Sequence, residues 1–135
     1  MTYLLDTTAV SDLMKEHKRV EENLANAGRV DRVVICTIVR GEILFGIAKL
    51  PPGKRRSNLE VKAEQILAAV YCEPVPQTAA DQYARIKSDC QTKGIPLDEN
   101  DLWIAATAIA IGATVVSRDS DYRAVQGLSV TDWTH

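Results

Sequence analysis

The feature that most constrains this chain is an alternation: short apolar runs of strand length are separated by longer stretches with helical periodicity. Tyr3-Leu4-Leu5 reads as a first strand ending at Asp6. Val33-Val34-Ile35-Cys36 is β-branched and continuous, the pattern of a strand buried on both faces. Thr114-Val115-Val116-Ser117 repeats that pattern late in the chain. A short strand is expected around Cys72 to Val75, and Ser129-Val130-Thr131 reads as a last edge strand. Between them lie helices expected from Thr7 or Thr8 to about Glu16, from Arg19 to Ala27, from Ile38 to Leu50, from Lys54 to Val70, from Thr78 to Lys93 and from Asp101 to Ile111. Strands alternating with helices specify a parallel sheet covered on both faces, with right-handed crossovers.

The punctuation supports this reading. Thr7 or Thr8, Thr37 and Thr78 stand where N-caps are expected, with Asp81 completing a capping-box spacing after Thr78. Gly28, Gly94 and Gly112 stand at helix ends. Pro51-Pro52-Gly53 breaks the helix before Lys54. No linker, repeat or low-complexity segment divides the chain, and 135 residues suit one domain. A chain of that length buries roughly 70% of its unfolded surface without staples.

Composition narrows the class. The chain is 46% hydrophobic and 25% charged, ordinary for a globular protein. No apolar run approaches the roughly 20 residues that span a bilayer. The start lacks a basic leader followed by a long apolar stretch, so a cytoplasmic protein is expected, with no membrane partner. Three cysteines, Cys36, Cys72 and Cys90, form no C-x-x-C pair, which argues against a disulfide framework or a zinc site. The net charge of −2 announces no global basic field for nucleic acid. Acids concentrated at one site can offset basic residues around its rim.

Those acids carry the chemistry. Ligands in open α/β sheets collect beyond the carboxyl ends of the strands. Asp6 closes the first strand, and Asp119 lies two residues past Ser117. Glu42 stands on the second turn of the helix after the Val33 strand. Asp101 stands in the first turn of its helix, whose start faces the same end of the sheet. Each has an ordinary alternative. A helix dipole favours an acid in the first turn by about 0.3–1 kcal/mol, Glu42 can be a solvated helix residue, and Ser117-Arg118-Asp119-Ser120-Asp121 can be only a turn. Together they demand more. Two carboxylates 4 Å apart repel by about 4 kcal/mol at an effective dielectric near 20, so a converging set needs a hard cation. Mg²⁺ or Mn²⁺ on carboxylates and water suits phosphate chemistry. The two histidines, His17 and the terminal His135, support no Ser-His-Asp or Cys-His arrangement. No Gly-rich phosphate loop is present. An aspartyl-phosphate enzyme would carry a second acid two residues after Asp6, where Thr8 stands.

At these residues the chain resembles the VapC family of PIN-domain toxins. The matching segments are Leu4-Leu5-Asp6-Thr7, Arg40-Gly41-Glu42-Ile43, Asn100-Asp101-Leu102-Trp103-Ile104-Ala105-Ala106 and Val116-Ser117-Arg118-Asp119-Ser120-Asp121-Tyr122. Gly127-Leu128 and Asp132-Trp133 are also similar to many members. The resemblance implies a PIN fold over residues 1–135, an α/β domain with a central parallel sheet flanked by helices. It implies a toxin of a type II toxin–antitoxin system that hydrolyses RNA with Mg²⁺ or Mn²⁺, forms a homodimer and is restrained by a VapB-type antitoxin. Some members cut transfer RNA and others ribosomal RNA, so transfer RNA is an expectation only. Carried over, Asp6 and Asp101 bind the metal, Asp119 joins directly or through water, and Glu42 orients the attacking water. Thr7 and Ser117 are expected to hydrogen-bond carboxylates or waters. Arg40, beside Glu42, and Arg118, before Asp119, are candidates to touch RNA phosphate, the alternative being solvated surface arginines.

Thr8, Ser117 and Tyr122 stand where many members have Asn, Thr and Phe. Asp121 competes with Asp119 for the fourth position, and Asp98 reads as a loop residue. Trp103 reads as a core or dimer residue rather than a stacking platform. Lys54-Arg55-Arg56 is a basic patch, and the helices after Ile38 and around Leu59 to Val70 are candidates for an antitoxin groove. The alternative is a catalytically silent PIN-like module that binds RNA or protein without cutting.

Overall fold

A computed structural model describes residues 1–135. The chain forms five strands, β1 (Thr2–Leu5), β2 (Arg32–Cys36), β3 (Tyr71–Glu73), β4 (Ala113–Val116) and β5 (Val130–Thr131). Six helices alternate with them: α1 (Thr7–Met14), α2 (Lys18–Ala27), α3 (Thr37–Ala48), α4 (Lys54–Ala69), α5 (Thr78–Lys93) and α6 (Glu99–Ile111). A 3-10 helix, Ser120–Ala124, follows β4.

All strand pairs are parallel, in the order β3-β2-β1-β4-β5. The register sets Leu4 beside Val34 on one side and Val115 on the other. Consecutive strand residues point to opposite faces of a sheet. Leu4 and Leu5, Val34 and Ile35, and Val115 and Val116 are all buried, so both faces are covered. The core is aliphatic, joined by Tyr122 and Trp133. No helix is long and apolar enough to cross a membrane.

The topology places the site. The chain runs outward from β1 through β2 to β3, then returns to the other side of β1 with β4. The order therefore reverses between β1 and β4, where helices leaving adjacent strands diverge and open a crevice at the carboxyl ends. The Asp6 amide still bonds Val116 O at 3.1 Å, so Asp6 stands at that reversal.

Several helix boundaries differ from those expected, each for a local reason. Asp6, not Thr7 or Thr8, caps α1, accepting the Ala9 amide at 2.9 Å. Cys36, not Thr37, is the cap residue of α3, without a side-chain bond, because β2 runs on through it. Gln77 precedes α5 without a capping bond, so Thr78 and Asp81 form no capping box. The α6 helix begins at Glu99, two residues early, because Asp98 caps it by accepting the Asp101 amide at 2.8 Å. Asp98 is thus a structural cap rather than a loop acid. Gly94 and Gly112 end their helices in the left-handed region, at φ 69° and 70°, whereas Gly28 stays right-handed.

Candidate active site

Asp6 is the most buried of the acids, 2% exposed at the end of β1. Its Oδ1 accepts the Thr8 hydroxyl at 2.7 Å as well as the Ala9 amide. Burial pushes its carboxyl above the usual carboxylate range; the Ser117, Ala9 and Thr8 donors oppose the rise, and the charge of Asp119 adds to it. The position at a helix N-terminus helps the charged form by only about 0.3–1 kcal/mol, and burial outweighs it.

Asp101 lies across the crevice in the first turn of α6. Its Oδ1 accepts the Tyr122 hydroxyl at 2.9 Å. Its carboxyl is pushed up to about 6, first by burial, against the Tyr122 bond and with the charges of Asp98, Glu42 and Asp119. The Tyr122 phenol is itself fully buried. Burial first, then the charges of Asp6 and Asp101, push its ionisation far above the ordinary phenol value, so it serves only as a hydrogen-bond donor to the carboxylate.

Glu42 reaches the same mouth from α3. Its Oε1 accepts the Thr7 hydroxyl, and its Oε2 accepts Asn100 Nδ2 at 3.2 Å. Asp119 caps the 3-10 helix by accepting the Asp121 amide at 2.9 Å, while its own amide donates to Ser117 Oγ at 2.9 Å. The electrostatic couplings join the set. Asp119 acts on Asp6 and Asp101, Glu42 acts on Asp101, and Tyr122 senses Asp6, Asp101 and Glu42.

No Lys, Arg or His pairs with any of the four acids. No three acids lie close enough together, as they stand, to hold one ion by protein ligands alone. The donor set is all oxygen, in part buried, and lacks a counter-ion within the chain. That chemistry fits a hard divalent cation that keeps water in part of its coordination shell.

The flanking residues divide. Thr7 and Ser117 do contact the acids. Asp121 is exposed and contributes its backbone amide to Asp119. Arg118 turns to buried Asp12, with Nε 3.1 Å from Oδ2, so its head is engaged on α1. Arg40 lines a groove between α3 and α4 instead of the mouth, since residues two apart on a helix do not share a face. Trp103 stacks on Tyr83 within the chain, with centroids 4.0 Å apart and planes 9° apart. Thr8, Asn100 and the Tyr122 hydroxyl were not expected at the site. Only Thr8, two residues after an acid in an Asx-turn spacing, carried a local signal.

Comparison with known proteins agrees with this architecture. A family model described as PIN domain matches residues 3–128. VapC ribonuclease Y4jK of Sinorhizobium fredii is 31% identical over 131 residues, covering 94% of either chain. VapBC2 from Rickettsia felis, solved bound to a promoter DNA fragment, superposes with TM-score 0.90 at 24% identity over 98% of this chain and 99% of that one, a likeness of fold. VapBC-5 from Mycobacterium tuberculosis, described as a member of the VapBC family of toxin–antitoxin systems, has TM-score 0.74 at 25% identity, covering 97% of this chain and 96% of that one. With its acids at the carboxyl edge of the sheet and these relatives along its length, the chain belongs to the PIN-domain family, among the VapC ribonucleases.

Proposed function

We propose that this VapC-family ribonuclease hydrolyses RNA phosphodiester bonds at the mouth formed by Asp6, Glu42, Asp101 and Asp119, as the toxin half of a type II toxin–antitoxin pair. One observation carries the site assignment: Asp6 and Asp101 are both withdrawn from water and both act on the buried Tyr122, with no cation of the chain to balance either. Asp6, Asp101 and Asp119 are the residues that would hold Mg²⁺ or Mn²⁺. Such an ion supplies polarisation of a phosphoryl oxygen, a nucleophilic water at neutral pH and charge neutralisation at the leaving oxygen.

The chain's own groups do the positioning. Thr8 and Ala9 fix the Asp6 carboxylate, and Tyr122 fixes that of Asp101. Thr7 and Asn100 each occupy one oxygen of Glu42. A carboxylate has about four acceptor sites, so Glu42 retains lone pairs to orient an attacking water and receive its proton. Asp119 adds negative charge at the rim, fixed by the 3-10 helix.

The partner reading follows the groove between α3 and α4. It encloses about 790 Å³ and is lined by Leu44, Ile47, Val61 and Leu67 with Arg40 and Arg56 on its rim. An amphipathic antitoxin helix fits an apolar channel with a charged edge. A homodimer and transfer RNA as substrate are the accompanying family expectations. The test is expression of the chain alone, with purified, antitoxin-free protein then incubated with total RNA in Mn²⁺ or in chelator. The wild type is expected to halt growth and to cut RNA only with metal, and Asp6→Asn and Asp101→Asn to do neither. Metal-independent RNA binding without products would instead identify a silent module.

A further inference from the structure

The chain's one phenylalanine, Phe45, is 66% exposed on α3. It lies three residues after Glu42 and four before Lys49. These offsets align the three along one side of the helix. The Lys49 ammonium rests 5.5 Å from the ring centroid. Both residues line a depression of about 580 Å³ whose inner wall is Thr7, Glu42 and Asn100, the groups that carry and hold the water-orienting acid. Gly41 and Gly46 form its floor, and a Cβ at either would meet nothing within 4 Å. Glycine inside a helix is unfavourable relative to alanine, and nothing within the monomer packs against either position. The depression therefore runs from Glu42, at the edge of the acidic mouth, onto an aromatic face, a cation and bare helix backbone.

We infer that this depression is a nucleotide subsite, which stacks one unpaired RNA base on Phe45 and pairs the adjoining phosphate with Lys49, placing the neighbouring phosphodiester at the acids. The inference rests on the ribonuclease reading and names how its substrate is held. Single-stranded nucleic acid is gripped by this combination, because every base offers a π-face and every nucleotide a negative charge. Lys49 fits the role chemically, since it lies beyond the acids and balances a phosphate that the carboxylates alone would repel. The subsite accepts a splayed single strand, because a base within a duplex has no free face to offer.

The experiment uses the Asp6→Asn protein, chosen because it is expected not to cut its RNA, and a fluorescein-labelled, random-sequence single-stranded RNA 12-mer read by anisotropy. Adding Phe45→Ala is expected to weaken binding about tenfold, within the range of one base stack. Phe45→Trp is expected to restore it. Lys49→Ala is expected to weaken binding and to reduce the slope of log affinity on log salt by about one. Equal affinity of the Phe45→Ala and parent proteins would overturn the subsite. A change of oligomeric state on Phe45→Ala in size-exclusion chromatography with light scattering, with RNA affinity per chain unchanged, would assign the ring to contact with a second copy and also overturn it. Failure of the catalytic reading is distinguishable. A wild type that cuts nothing but whose RNA affinity still depends on Phe45 would leave the subsite standing.

Discussion

Helix α1 is capped by one buried aspartate and carries another, and the two answer the same physical problem in opposite ways. Asp12 is 7% exposed and has its cation within the chain, the Arg118 guanidinium 3.1 Å away. Asp6, six residues earlier and more buried, has hydroxyls and an amide but no cation. An isolated buried charge is costly, and ordinary folding removes it or pairs it. Pairing closes Asp12 into the structure. Leaving Asp6 and Asp101 unpaired keeps a charge deficit that only something from outside can fill. On the proposed function, the location of the counter-ion is what separates a structural carboxylate, Asp12, from a functional one, Asp6.

The largest expected effect breaks the comparison at the unpaired side. Asp6→Asn is expected to lower RNA cleavage by on the order of a hundredfold or more, the scale of losing one main electrostatic contributor to a transition state. It should not weaken the metal-free fold, since asparagine caps a helix as well as aspartate and the buried charge is gone. Cleavage of total RNA and thermal unfolding in chelator check both halves. Tyr122→Phe comes next. Loss of the hydroxyl frees Asp101 without emptying the core, and changes of this kind cost about 10–100-fold in metal affinity or activity; Mn²⁺ titration by calorimetry reads it.

Arg118→Ala attacks the paired side. It leaves Asp12 buried alone, which costs about 1–3 kcal/mol, with the lower part of that range expected because Arg118 is half exposed. Its unfolding temperature should drop while cleavage per folded molecule stays near wild type. The smallest effect is on pH. In metal-free protein the Asp101 carboxyl sits at about 6 against an ordinary 3.8, so the folded state holds that proton more tightly than the unfolded state. Its stabilising contribution is full below about pH 4 and is lost as pH rises through about 6. Unfolding temperature in chelator should fall from pH 5 to 7, less so in Asp101→Asn, and Mn²⁺ should restore more of it at pH 7 than at pH 5.

Much of this was legible in the order of residues. The strands Val33–Cys36 and Thr114–Ser117 declared themselves because both faces of the sheet are covered, so apolar residues run on consecutively at Val33-Val34-Ile35-Cys36 and Val115-Val116. The placement of Asp6 and Asp119 followed, since strand ends at a reversal of strand order point at ligands. The capping residues were less legible. Asp6, Thr7 and Thr8 are three good caps in a row, and the choice fell to Asp6 because β1 holds its amide on Val116. At Cys36 the strand claimed the residue that would have left Thr37 outside the helix. Least legible were the side-chain partners. Tyr122 with Asp101, Asn100 with Glu42 and Arg118 with Asp12 join residues 21, 58 and 106 apart. No local pattern marks such a pair, because the fold alone decides which distant side chains meet. The same blindness hid the pairing of Arg118 with Asp12, which no feature near either residue in the sequence announces.

The most direct measurement is Mn²⁺ binding followed by electron paramagnetic resonance of the free ion in wild type, Asp6→Asn, Asp101→Asn and Arg118→Ala. The unpaired carboxylates predict that wild type and Arg118→Ala deplete free Mn²⁺ alike, and that the two carboxylate variants leave it in solution. Undiminished Mn²⁺ uptake by Asp6→Asn and Asp101→Asn would contradict the account.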